Sequence, residues 1–259
     1  MKARPIWSLL VLITWLATAA PAVAATLVVP AAEAADPKAL WKAVMTGIYG
    51  PYDSRRKCWV GKAGGESHCM RPHRLESVLG GEQLFLAIAS ASGSSDGCHG
   101  CGGTLGLLVL NRLADGSYAL AARNSLYEPF GSWGEVPTEE AFKVAQIGGQ
   151  AFAWVIEAGF TAQGYTGVSQ HIFAPVGAAV VDLGSIPSHH DDCGANDSCT
   201  TYDFSIRFAP GTGSTYFDAV AELVPGSTVP DFGRRAVIPF DAVTKKYVAP
   251  ESYSSLMDL

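Results

Sequence analysis

Short apolar runs separated by Gly, Asp and Pro breaks occupy most of this chain. Residues 82–90 (EQLFLAIAS), 104–111 (TLGLLVLN) and 117–124 (SYALAARN) are of strand length. Asp115-Gly116 between the last two predicts a tight hairpin, because this pair tolerates the positive φ such turns require. The runs 141–147 and 151–160 flank Gly148-Gly149. Those at 167–175 and 178–184 flank Val176-Gly177, and those at 202–210 and 216–224 flank a Gly-Thr-Gly-Ser break. Residues 235–241 and 245–250 close the series. About ten strands, joined mostly as hairpins, predict a mainly β fold: an antiparallel β-sandwich or barrel-like sheet. A parallel α/β fold needs long crossovers between strands, and these breaks are too short to supply them.

The pattern departs from strand periodicity near the start. Leu40, Trp41, Val44, Met45 and Ile48 recur at helical spacing, behind Asp36 as a cap and Pro37 in the first turn. One short N-terminal helix is expected, ending at Gly50-Pro51. Before it, Lys2 and Arg4 precede an apolar stretch from Ile6 to Ala19, and Ala22-Val23-Ala24 has the small-x-small form of a cleavage site. Residues 1–24 therefore read as a secretory signal peptide. The apolar stretch is shorter than the roughly 18–20 residues a membrane span needs. The expected organisation is a signal peptide over 1–24, a loose Ala-rich segment over 25–35 and a single disulfide-stapled domain over 36–259. The protein is expected to be exported, periplasmic or extracellular, with no membrane span once the signal is removed.

Composition narrows the classes of partner. The chain is 48% hydrophobic and 16% charged, enough apolar surface for a sizeable core. Its net charge is −6 with no basic block, which argues against nucleic acid and anionic lipid as partners, since both demand clustered Lys and Arg.

All six cysteines lie beyond the signal: Cys58, Cys69, Cys98, Cys101, Cys193 and Cys199. An even number in an exported chain predicts disulfides, and pairing of sequence neighbours gives Cys58–Cys69, Cys98–Cys101 and Cys193–Cys199. The Cys98-His99-Gly100-Cys101 stretch invites other readings. A thiol-redox pair would sit at a helix N-terminus, but Gly102-Gly103 and a strand-like run follow. Haem attachment needs a His after the second cysteine, where Gly102 stands. A zinc site needs two more ligands and reduced thiols.

Three clusters carry candidate chemistry. His189, His190, Asp191 and Asp192 lie in a polar stretch that reads as a disulfide-tied loop; as ligands they would suit zinc or calcium, although no recognised spacing is present. Tyr127, Phe130, Trp133 and Tyr165 fall in Gly-rich segments, where aromatics on a β scaffold suit stacking on a glycan or anchoring a protein partner. His68, Arg71, His73 and Arg74 read as a solvated loop with a possible anion-binding role. Gly-x-Ser-x-Gly, His-Glu-x-x-His and phosphate-loop motifs are absent, and Ser169 near His171 is not by itself a triad. The expected function is an exported envelope binding or interaction module without a cofactor, its partner a protein or cell-wall glycan. A metal-dependent hydrolase built on residues 189–192, joined by His68 or His99, is the first alternative. A thiol-redox protein using Cys98 and Cys101 is the second.

Overall fold

The computed structural model describes residues 27–63, 65–90, 98–211, 215–227 and 234–254. Residues 1–24, which the sequence reads as a signal peptide, lie outside the described residues. Among the described residues no helix is long and apolar enough to cross a membrane.

The N-terminal part comprises β1 (Val28–Val29), α1 (Ala31–Ala34), α2 (Pro37–Tyr49), β2 (Tyr52–Asp53), β3 (Cys58–Ala63), β4 (Glu66–Val78), β5 (Gln83–Ser90), β6 (Gly103–Arg112) and β7 (Tyr118–Phe130). The C-terminal part comprises β8 (Phe142–Gln146), β9 (Phe152–Ala162), β10 (Tyr165–Val176), β11 (Ala179–Asp191), β12 (Thr201–Ala209), β13 (Asp218–Leu223), β14 (Arg235–Ile238), β15 (Phe240–Asp241), β16 (Lys246–Tyr247) and α3 (Glu251–Ser254). Strands β2 to β7 pair in sequence order as an antiparallel meander, with β1 also on β7. Strands β8 to β14 form a second antiparallel series. Among the described residues one parallel pairing, Ala179 of β11 with Arg123 of β7, joins the two, and the sheet is mixed and does not close into a barrel.

Layering follows from the two-residue period of strands. Leu84, Leu86 and Ile88 of β5 and Leu108 and Leu110 of β6 point one way, where Leu40, Val44 and Met45 of α2 cover them. Phe85, Ala87, Leu105, Leu107 and Val109 point the other way, onto Trp154 and Ile156 of β9 and Phe173 of β10. Ala153, Ile172 and Ala174 turn to the far side of that hairpin and pack on β12–β14 through Phe204, Ala219 and Ile238. Continuous apolar runs thus mark strands covered on both faces.

The helix stands where the stripe predicts it. Asp36 accepts a 2.9 Å bond from the Lys38 backbone N–H, and Gly50 ends the helix at φ +85°. Three readings need correction. The segment before the helix is not loose from residue 27 on: Val28–Val29 pair with β7, and Val29 is fully buried. Residues 67–76 are not a loop but the body of β4, laddered to β3 and β5. That strand is half-exposed, so its polar residues hid a ladder imposed by the apolar β5. Residues 188–191 are the end of β11, paired with β10 and β12, and only the stretch from Cys193 onward is the disulfide-tied loop.

Candidate functional site

The disulfides are Cys58–Cys69, Cys98–Cys101 and Cys193–Cys199, and among the described residues no cysteine is free. The second builds a wall of a cleft. Cys101 N–H bonds back to the Cys98 carbonyl at 3.3 Å, closing a turn with His99 at its tip. The 131–135 turn docks on it: Trp133 N–H donates to the His99 carbonyl at 3.2 Å and Gly134 N–H to the Cys101 carbonyl at 2.6 Å. The His99 and Trp133 rings lie 3.5 Å apart and tilted by 35°. Trp133 holds φ at +56°, a conformation costing a non-glycine residue about 1–2 kcal/mol. Gly102 is required beneath, because a Cβ there would stand 2.5 Å from the Phe130 nitrogen.

The opposite wall is the β9–β10 hairpin. Gln163-Gly164 forms its two-residue turn, with φ +54° and +86°, the signature of a type I′ turn. Its tip rests on the Cys193–Cys199 loop, where a Cβ on Gly164 would fall 2.3 Å from the Gly194 carbonyl carbon. Phe160 and Gly167 face each other across the two strands. Between the walls is a cleft of about 410 Å³, lined by His99, Tyr127, Phe130, Phe160, Ser169 and His171 among others. A trench of about 270 Å³ runs on from it past Trp133 and Glu135, sharing Gly131, Ser132, Ala158 and Gly159.

The floor is electrostatically settled. Tyr127 donates its hydroxyl to Asp182 Oδ2 at 3.2 Å, and burial first, then the Asp182 charge, raises its pKa. Asp182 is held by Lys246 Nζ at 3.2 Å and by the Gly184 N–H at 2.6 Å. His171 packs its edge on Phe130 with centroids 5.1 Å apart. Burial lowers its pKa below the ordinary value and Asp182 offsets this only in part, which favours the uncharged ring. Among the described lining residues of the cleft no Asp, Glu, Lys or Arg occurs.

Of the four expected aromatics, Tyr127 and Phe130 line the cleft and Trp133 the adjoining trench. Tyr165 lines neither; it opens β10 opposite Ala162 beside the hairpin turn. Phe160, at the start of the Gly-rich stretch that supplied Tyr165, takes the expected place. Its signal was an aromatic whose cross-strand neighbour is glycine. His99 and His171 also belong to the site.

The metal candidates go separate ways. His189 and His190 face opposite sides of β11: His189 Nδ1 lies 2.8 Å from Asp203 Oδ1, while His190 is buried and stacked on Tyr202 at 5.3 Å. Asp191 accepts the Cys193 N–H at 2.8 Å, and Asp192 accepts from Thr200 N–H and from Asn196 Nδ2. Among the described residues the one group of three potential ligands drawn within 4.8 Å is Asp192 with Cys193 and Cys199, whose sulfurs are bonded to each other. The basic cluster on β4 is likewise dispersed. His68 Nδ1 is 2.9 Å from Thr104 Oγ1, Arg74 Nε donates to Glu76 at 2.8 Å, and His73 packs on Phe142 at 4.7 Å.

No family model matches the chain, and neither a curated protein nor a solved structure matches it.

Proposed function

We propose that this protein is a non-catalytic binding module of an exported, oxidising environment, with its ligand held in the cleft between the Cys98–Cys101 wall and the β9–β10 hairpin. One observation carries the reading: Phe160 in the cleft and Trp133 in the trench that continues it remain 56% and 48% exposed, where large aromatics are ordinarily covered. Phe160 stands on the β9–β10 ladder, and the turn that carries Trp133 is hydrogen-bonded to the disulfide-closed 98–101 turn, which limits the ordering lost on binding. Three disulfides accord with an extracytoplasmic space.

The test immobilises the mature protein and passes envelope extract over it, beside a Trp133→Ala/Phe160→Ala double variant. The wild type is expected to retain material that the double variant does not, while the melting temperatures of the two agree within a few degrees. Equal retention by both would refute a ligand in this cleft.

A further inference from the structure

We propose that the cleft takes an uncharged saccharide chain, one pyranose ring in the wide part and the next in the trench. The inference rests on the binding reading above and names its ligand class.

Charge speaks first. The wide cleft offers no Asp, Glu, Lys or Arg among its described lining residues, and burial favours the uncharged form of His171 at its floor. A phosphate, sulfate or carboxylate ligand would lose its hydration there without the Arg or Lys that normally replaces it. The trench does carry carboxylates, Glu135 and Glu157, which accept from sugar hydroxyls and repel an anionic chain, while an ammonium ligand would lack a carboxylate in the wide part. An uncharged ligand loses neither.

Ring faces speak second. Gly167 lies beside Phe160: a Cβ there would stand 3.2 Å from the ring, so the absence of a side chain leaves the phenyl room against the neighbouring strand. On the other wall Trp133 is backed by His99 at 3.5 Å. Two such supported faces, each about half exposed, present flat apolar surface to a ligand. A pyranose offers matching C–H faces and a rim of hydroxyls. Ser132, Ser169 and His171 supply uncharged donors and acceptors for that rim. A wholly apolar ligand would strand those groups. Volume agrees: about 410 Å³ continuing into about 270 Å³ is an elongated space, suited to a chain of linked rings rather than one compact molecule.

An extended peptide is the competing occupant. Strand β8 pairs with β9 only as far as Ile156, so a peptide would add to the outer edge of residues 157–162. It would lie in the trench, which Glu157, Ala158 and Gly159 line together with Trp133, so it competes for the same space and the extract experiment below distinguishes the two.

The probes are cello-, chito- and maltotetraose, with tetragalacturonate as the anionic control, titrated by calorimetry against the mature protein. At least one neutral tetraose is expected to bind. Trp133→Ala and Phe160→Ala should each weaken it by about tenfold or more, as for aromatic anchors elsewhere, and Trp133→Phe by less. Tetragalacturonate should bind more weakly than the best neutral chain. Should an alanine variant fold poorly, Trp133→Phe and Phe160→Leu carry the comparison. Three results each overturn the proposal: no neutral tetraose binding at about 10 mM, binding unchanged by both variants, or preference for the anionic chain. The extract experiment separates the two levels. Retention that needs Trp133 and Phe160 but consists of peptide leaves the binding cleft standing and removes the saccharide. Retention indifferent to both residues removes the cleft itself.

Discussion

Seating of the β9–β10 hairpin on the Cys193–Cys199 loop can be tested with three glycines that differ in one respect at a time. Gly149 has ordinary φ and open space around it; Gly177 has φ +60° and open space; Gly164 has φ +86° and the Gly194 backbone 2.3 Å from where a Cβ would sit. Gly149→Ala removes freedom from the unfolded chain alone and is expected to be neutral or stabilising by up to about 1 kcal/mol. Gly177→Ala adds left-handed strain, costing about 1–2 kcal/mol. Gly164→Ala adds to that strain a backbone collision, and overpacking typically costs about 1–3 kcal/mol, for a total of about 2–5 kcal/mol. In a chain of this size each kcal/mol moves the melting temperature by about 2–4 °C, so Gly164→Ala should melt about 4–20 °C below wild type. Urea denaturation of the three variants measures the order directly. If Gly164→Ala proves no less stable than Gly177→Ala, the hairpin tip is not held against that loop. One wall of the cleft then loses its support.

Trp154 is fully buried with Phe85 and Phe142 at 6.0 and 5.8 Å, so Trp154→Ala should cost about 3–5 kcal/mol by urea denaturation, more than any change at exposed Trp133. Replacing Cys98 and Cys101 together by Ser opens a loop whose closure is worth about 2 kcal/mol in the chain-entropy account, yet it should abolish cleft binding, because His99 and Trp133 lose their common anchor. Thiol titration of the native protein should find no reactive cysteine. Burial holds His73 and His171 below the ordinary histidine pKa, so the unfolded chain takes up protons there before the folded one does. Stability should therefore be intact above about pH 6.5 and decline as pH falls toward the folded-state values, and a His73→Phe/His171→Phe variant should show a flatter profile between pH 7.5 and 5.5 than wild type.

Legibility in the sequence followed burial. Strands β5 and β6 announce themselves because both faces are covered, and α2 because its stripe meets one apolar layer. Strand β4 was hidden: of its interior only Met70 is fully buried, and a bulge between Pro72 and Arg74 breaks the alternation. The Gln163-Gly164 turn was missed for a different reason. Gln at positive φ is uncommon, so a true hairpin turn read as a Gly-rich segment. At the site, Tyr127, Phe130 and Trp133 could be picked out because aromatics beside glycines are conspicuous. Phe160, His99 and His171 could not be joined to them, since they come from two other strands and a turn that only the long-range pairing unites. Adjacent His and Asp residues at 189–192 suggested one site and instead serve a cross-strand pair, a stack and two loop caps.

Strand β10 sends Phe173 into one apolar layer and Ile172 and Ala174 into the next. Neither layer can open without exposing residues of the same strand. The two halves of the chain share one parallel pairing among the described residues and the apolar layer between β5–β6 and β9–β10, and should therefore melt in one cooperative transition rather than as separate units. Ser169 and His171 of that strand also line the cleft. A ligand bound there would act on the whole molecule, raising its melting temperature in proportion to the logarithm of ligand concentration once the site is saturated, without touching either terminal layer.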